Sequence, residues 1–138
     1  MKTLLVPLDF QSPSEKVLRY IEDIFVKHEV EVRLIRIVPV DDSRTDDNIR
    51  AEFAAFENRV LRRFPLAYHF SIIRGNVLQG IQQAIDSYKP SLVIMGTKGA
   101  GTTKALMKVT NCPVLTIPEG SRKRQIKNIA YANDFNAV

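Results

Sequence analysis

The fold is decided by a stretch near the N-terminus, "KTLLVPLDF" (residues 2–10), in which apolar residues follow one another almost without interruption. A strand with one solvent-exposed face alternates apolar and polar residues, whereas a strand covered on both faces does not. The stretch therefore predicts a strand that is buried on both sides, as in the parallel sheet of an α/β protein.

Strands and helices are predicted to alternate along the rest of the chain. Apolar runs typical of strands recur at 31–40, 66–75, 91–96 and 113–118, and helical segments separate them at 11–29, 49–64, 76–90 and 102–111. Parallel strands that are joined by helices give right-handed crossovers and an open, doubly wound sheet. The predicted fold class is α/β with five parallel strands.

Length and composition indicate a soluble globular domain of 138 residues, of which 45% are hydrophobic and 25% charged. No apolar run is long enough to cross a membrane, so no membrane partner is expected. The single cysteine, Cys112, cannot form an internal disulfide, which favours a reducing cytoplasm. Its apolar setting before Pro113 favours a small packed side chain over a reactive thiol.

The net charge of +5 comes largely from "SRKRQIK" (121–127) and from arginines on predicted helix faces. Nucleic-acid-binding proteins gather basic residues on one face, together with aromatics or a helix that enters a groove. The sequence shows neither feature, so we expect a solvated basic surface and no nucleic-acid partner. His28 and His69 have no second ligand residue nearby in the sequence, so no metal site is expected.

Two polar features follow predicted strands, where ligands of doubly wound sheets bind. Asp9 follows the first strand, and the glycine-rich stretch "MGTKGAGTT" (95–103) follows the fourth and opens a helix. Such a turn holds a phosphate when its backbone N–H groups point at the anion. Short strand-to-helix connections are also ordinary structural turns. Both interpretations stay open on this evidence.

Motifs for catalysis are missing from the sequence. There is no Gly-x-Ser-x-Gly elbow and no complete Walker loop. Asp9 by itself is not an acid–base pair, and a phosphoacceptor receiver domain would need further acidic residues beside the first strand. The protein is therefore not expected to be an enzyme.

The last residues, "IKNIAYANDFNAV" (126–138), repeat the pattern of the first strand. At one constant spacing, Lys2, Leu4, Asp9 and Phe10 match Lys127, Ile129, Asp134 and Phe135. We interpret residues 1–120 as one complete domain and residues 121–138 as a basic linker plus the first strand of a truncated second copy. An unrelated C-terminal strand is the alternative. Either strand is expected to pair with a sheet edge, since its backbone groups need partners.

Taken together, "LLVPLDFQSPSEKVLRYI", "VRLIRIVPV", "SLVIMGTKGAG" and "NCPVLTIPEG" resemble the universal stress protein family, in the right order over residues 2–119. The resemblance implies a Rossmann-like sheet of the adenine nucleotide alpha hydrolase-like type, with strand order 3-2-1-4-5. It also implies dimers built around the last strand, and tandem two-domain members are common in the family, which agrees with the repeat at residues 126–138. The family has one subclass that binds ATP and one that does not.

The resemblance also implies the residues of a nucleotide site. Asp9 matches the aspartate that lies by the nucleotide, Ile37 or Val38 matches the residue that contacts the base, and the phosphate-loop pattern is matched by Gly96, Gly99, Gly101 and Thr102. Only Ala100 stands between Gly99 and Gly101, so most of the loop that the family carries there is absent.

The sequence thus leaves two hypotheses about function. The first is a non-enzymatic, cytoplasmic stress-response module that acts through dimer or tandem-domain contacts, with no cofactor and a degraded ATP site; its protein partner is unknown. The alternative is an ATP-binding switch or weak ATPase that uses Asp9 and the loop from Gly96 to Thr102, with Mg accompanying the ATP.

Overall fold

The chain forms one parallel sheet with helices packed on both faces. The computed structural model describes residues 2–9, 12–97 and 101–118. Within these residues the strands are β1 (Lys2–Pro7), β2 (Val30–Val38), β3 (Ala67–Arg74), β4 (Leu92–Thr97) and β5 (Val114–Pro118). The helices are α1 (Ser12–Phe25), α2 (Asp46–Phe56), α3 (Val77–Tyr88) and α4 (Gly101–Val109), and a π-helical turn, Glu57–Leu61, continues α2.

The strand order is β3-β2-β1-β4-β5, and every neighbouring pair is parallel. This confirms the predicted α/β class, the alternation of strands and helices, and the order 3-2-1-4-5. The predicted elements differ from the observed ones by a few residues at their ends. The boundary at residue 120 and the proposed strand in 126–134 lie outside the described residues.

The central strand β1 is buried on both faces, as its apolar run predicts. Leu4, Leu5 and Val6 have no exposed surface. Leu4 and Val6 belong to the apolar cluster under α1 and α2, whereas Leu5 belongs to the cluster under α3 and α4. Alternate residues of one strand thus supply both layers of the core, which leaves no position in the middle of β1 for a polar side chain.

The segment predicted as one helix over 49–64 consists of α2 and the π-helical turn. Thr45 caps α2, because its side chain accepts a hydrogen bond from the Asn48 N–H while the Asn48 side chain accepts one from the Thr45 N–H. Phe56 and Leu61, five residues apart, are both buried. A π-helical turn bonds residues at this spacing, so it keeps both side chains in the core.

Helix α3 approaches β2 closely at Gly80. A Cβ atom at this position would lie 3.0 Å from three side-chain carbons of Ile37. Ile37 is half-buried and packs against the cluster under α3 and α4. Its branched side chain has little rotamer freedom to move aside. Glycine at position 80 therefore sets the distance between α3 and the end of β2.

We predict that Gly80→Ala destabilises the protein, although alanine is the better helix former. In an unhindered helix the substitution raises the free energy of unfolding by roughly 1 kcal/mol. Here overpacking against Ile37 reverses the sign and lowers it by about 1–3 kcal/mol. Urea unfolding of Gly80→Ala in the wild-type and Ile37→Ala backgrounds measures the coupling. A stabilising effect of Gly80→Ala in the wild-type background would show that α3 tolerates the methyl group.

Candidate functional site

The candidate site lies at the carboxyl ends of β1 and β4, where the sheet reverses its strand order. The chain proceeds from β1 to β2 and β3 on one side and places β4 and β5 on the other. Leu5 pairs with Val93, and both strands run in the same direction. Asp9 and Gly96 consequently lie at the same edge of the sheet, which is where doubly wound folds bind ligands.

Ser14 fixes the carboxylate of Asp9. The Ser14 hydroxyl donates to Asp9 Oδ1 at 2.6 Å, and its oxygen accepts from the Asp9 backbone N–H at 2.9 Å. Ser14 is 5% exposed and lies in the first turn of α1, while Asp9 itself is partly exposed. This pair of hydrogen bonds links the end of β1 to the start of α1, so one carboxylate oxygen already has a protein partner.

The residues matched to a base contact are mostly part of the core. Val38 has no exposed surface and offers nothing for a ligand to contact in this structure. Ile37 is half-buried, with its side chain against Gly80 of α3. Only the accessible part of Ile37 lies within reach of a ligand at this edge of the sheet.

The connection between β4 and α4 is short. β4 includes Gly96 and ends at Thr97, and α4 begins at Gly101 and includes Thr102 in its first turn. Three residues, 98–100, separate strand from helix; they include Gly99 and lie outside the described residues. The N-terminus of α4 therefore follows β4 almost directly at the edge that carries Asp9.

A network of charged side chains at the ends of β2 and β3 was not predicted from the sequence. Arg44 contacts Asp42 at 2.9 Å and Glu52 at 3.0 Å. Arg74, the last residue of β3, donates to the Arg44 carbonyl oxygen at 2.7 Å and to Asp46 at 3.0 Å. The Arg44 guanidinium lowers the pKa of Asp42 to about 2, mainly through its side-chain hydrogen bond. These contacts fasten the loop after β2 to the end of β3.

Ser14 and a third arginine were also not predicted from the sequence. Arg36 of β2 donates to the Leu8 carbonyl oxygen at 3.4 Å, which places a cation beside the residue that precedes Asp9. Ser14 carries a recognisable signal, a hydroxyl in the first helical turn after a strand that ends in an aspartate. Arg36 carries none, because its partner Leu8 follows the neighbouring strand β1 and lies far away in the sequence.

The remaining sequence expectations concern cysteine, metals and membranes. The Cys112 sulfur lies 3.5 Å from the Pro90 carbonyl oxygen, and burial raises the pKa of its thiol, as expected for a packed side chain. In residues 2–9, 12–97 and 101–118, no three histidine, cysteine, aspartate or glutamate side chains are grouped to hold a metal ion. Helices in that part of the chain are too short or too polar to cross a membrane.

We predict that Arg74→Gln loosens the loop after β2, because the variant loses the charged donor to Arg44 and Asp46. Trypsin cleavage after Arg44, followed by mass spectrometry, should become several-fold faster, since cleavage requires local opening of this loop. Arg50→Gln is the matched control, because Arg50 is an exposed residue of α2 outside the network. Equal cleavage of the wild type and both variants would show that the network does not hold the loop.

The chain is similar to known proteins in sequence and in fold. The model of the Universal stress protein family matches residues 1–118. No curated protein is similar enough in sequence to count as a relative. Solved structures with the same fold include the hypothetical protein MJ0577, with 17% identity and a TM-score of 0.73, where the match covers 88% of this chain and 98% of that one.

Two further structures with this fold contain a nucleotide. One is the universal stress protein from Archaeoglobus fulgidus in complex with dAMP, with 16% identity, a TM-score of 0.70 and coverage of 85% of this chain and 98% of that one. The other is a universal stress protein family protein from Arabidopsis thaliana with AMP bound, with 16% identity, a TM-score of 0.67 and coverage of 94% and 99%. At these identities the likeness establishes the fold.

Proposed function

Because the chain belongs to the universal stress protein family, we propose that it is a non-enzymatic, cytoplasmic stress-response module that acts through contacts with other protein domains. The observation that carries this proposal is the connection of three residues between β4 and α4. The length of this connection matters because an ATP-dependent protein must first bind the phosphate chain of ATP.

A phosphate chain is held by a concave set of backbone N–H groups that surrounds its oxygen atoms. A long glycine-rich loop can supply such a set along a triphosphate. Three residues between Thr97 and Gly101 suffice to turn the chain from strand to helix. The N-terminus of α4 can still face a single phosphate, but a connection of this length lacks the reach to enclose three.

The surroundings of Asp9 support a role without catalysis. Hydrolysis of a nucleotide needs a group that positions or deprotonates water, and it usually also needs a metal ion on the phosphates. One oxygen of the Asp9 carboxylate accepts the Ser14 hydroxyl at 2.6 Å. This hydrogen bond gives Asp9 a structural task, which is to join the end of β1 to the start of α1.

Strand β5 is the proposed contact surface for a second copy of the chain or for a tandem domain. It pairs with β4 and stands last in the strand order, so it forms one edge of the described sheet. Val114 and Ile117 are buried, whereas Leu115 and Thr116 are partly exposed. An edge strand presents backbone donors and acceptors that another strand or a partner surface can satisfy.

The second candidate is a nucleotide-binding switch or weak ATPase. It is supported by the AMP and dAMP complexes of proteins that share this fold. Asp9 and the N-terminus of α4 lie at the same edge of the sheet, in the arrangement that binds nucleotides in doubly wound sheets. A nucleotide with one phosphate needs the fewest backbone N–H groups from the short connection, whereas ATP with Mg needs the most.

Calorimetric titration of the full chain with Mg-ATP and, separately, with AMP tests the proposal. We expect no saturable heat with Mg-ATP up to millimolar concentration. The matched control is Asp9→Asn, which removes the charge and keeps the shape of the side chain. Micromolar binding of Mg-ATP that is lost in Asp9→Asn would contradict the proposal and establish the switch. Binding of AMP, together with no binding of Mg-ATP, would support a site that holds only one phosphate.

A further inference from the structure

A groove between α1 and the π-helical turn is lined by four arginines. It has a volume of about 440 Å³. We call it the arginine groove; its charged lining residues are Arg19 and Glu22 of α1, Arg59 of the π-helical turn, and Arg62 and Arg63 directly after that turn. Four guanidinium groups against one carboxylate leave an excess of positive charge in a short stretch of surface.

The cations of the groove are poorly neutralised by the protein. In the described part of the chain, Arg62 and Arg63 are exposed and have no carboxylate within 4.0 Å. Arg19 pairs with Glu15 at 3.1 Å, but this contact is exposed and contributes little. Closely spaced arginines repel one another, so an anion that enters the groove relieves their repulsion.

Glu57, the acidic residue of the π-helical turn, faces another partner. The Tyr68 hydroxyl of β3 donates to Glu57 Oε2 at 2.5 Å. Burial and the neighbouring Glu57 raise the pKa of Tyr68 to about 12, so the hydroxyl keeps its proton at neutral pH. The carboxylate closest in sequence to Arg59 is thereby held against the sheet.

Apolar and aromatic groups accompany the charges. Val60 and Phe64 line the groove and are partly buried. Phe64 packs edge-on against Tyr68, with 6.0 Å between ring centroids. The Arg59 guanidinium lies 5.6 Å from the centroid of the Phe56 ring, which is within the range of a cation–π contact. The groove thus combines partly fixed cations with an apolar surface.

We propose that the arginine groove binds an acidic, partly apolar segment of a partner protein. Guanidinium groups bind carboxylates in a bidentate manner, and arginine and aromatic residues are enriched at protein interfaces. Glu22 opposes a uniformly anionic ligand such as a nucleic acid, whereas its carboxylate can accept hydrogen bonds from backbone N–H groups of a peptide. The charge is also confined to one groove, whereas nucleic acid favours a longer basic stripe.

The arginine groove is separate from the edge that carries Asp9. Helices that join parallel strands begin at the carboxyl ends of the strands and run back toward the amino ends. Arg19 and Glu22 lie in the second half of α1, and Arg62 follows the end of α2 and its π-helical turn. The groove therefore lies toward the amino ends of the strands, whereas Asp9 lies at their carboxyl ends. Binding in the groove does not depend on the nucleotide site.

Fluorescence anisotropy with a labelled peptide of alternating glutamate and leucine tests the proposal on the full chain. We expect saturable binding that weakens about tenfold or more in Arg62→Gln/Arg63→Gln. Arg50→Gln/Lys104→Gln removes the same charge from exposed positions outside the groove, and it should change the affinity no more than about twofold. Glu22→Gln should strengthen binding, because it removes the one opposing charge.

Three results would overturn the proposal. Equal weakening in both double variants would assign the binding to overall charge. Equal binding of a peptide with glutamine in place of glutamate would show that the groove does not recognise carboxylates. Tighter binding of a single-stranded oligonucleotide or of inorganic triphosphate, lost in Arg62→Gln/Arg63→Gln, would make the groove a phosphate site. Circular dichroism of all variants confirms that they are folded.

Discussion

Burial of β1 on both faces is the constraint on which the rest of the structure depends. β1 pairs with both β2 and β4, and its central side chains have no exposed surface. Helices must therefore cover both sides of the sheet, and each chain segment that leaves a strand returns through a helix. The same arrangement brings the end of β1 beside the end of β4. A near-continuous apolar strand therefore positions both the core and the candidate site.

At the carboxyl ends of the central strands, the residues matched to a nucleotide site make contacts within the protein. The Asp9 carboxylate is engaged by Ser14, Val38 is buried, and Ile37 packs under Gly80. Three residues connect β4 to α4. Other structures with this fold contain a nucleotide, and we propose that three residues between β4 and α4 are too few to enclose a triphosphate and that this protein acts through contacts with other proteins.

The elements that could be predicted from the sequence are those with a local signal. Apolar runs predicted the strands, and their continuity predicted a parallel sheet covered on both faces. The π-helical turn could not be predicted, because the positions of Phe56 and Leu61 also approximately fit the apolar spacing of an ordinary α-helix. The contacts of Arg74 with Arg44 and Asp46 join segments distant in sequence. The convergence of Arg19 with Arg62 and Arg63 likewise requires two helices to pack, so the sequence alone predicts a solvated surface for these arginines.

We propose that β5 and the arginine groove contact other proteins and that the carboxyl ends of β1 and β4, at Asp9, bind no triphosphate. The most direct test of this central claim is amide chemical-shift mapping of the full chain during titration with Mg-ATP. We expect the resonances of Asp9, Gly96 and Gly101 to stay in place up to millimolar concentration. Saturable shifts confined to these amides would contradict it and would make the protein a nucleotide-binding module.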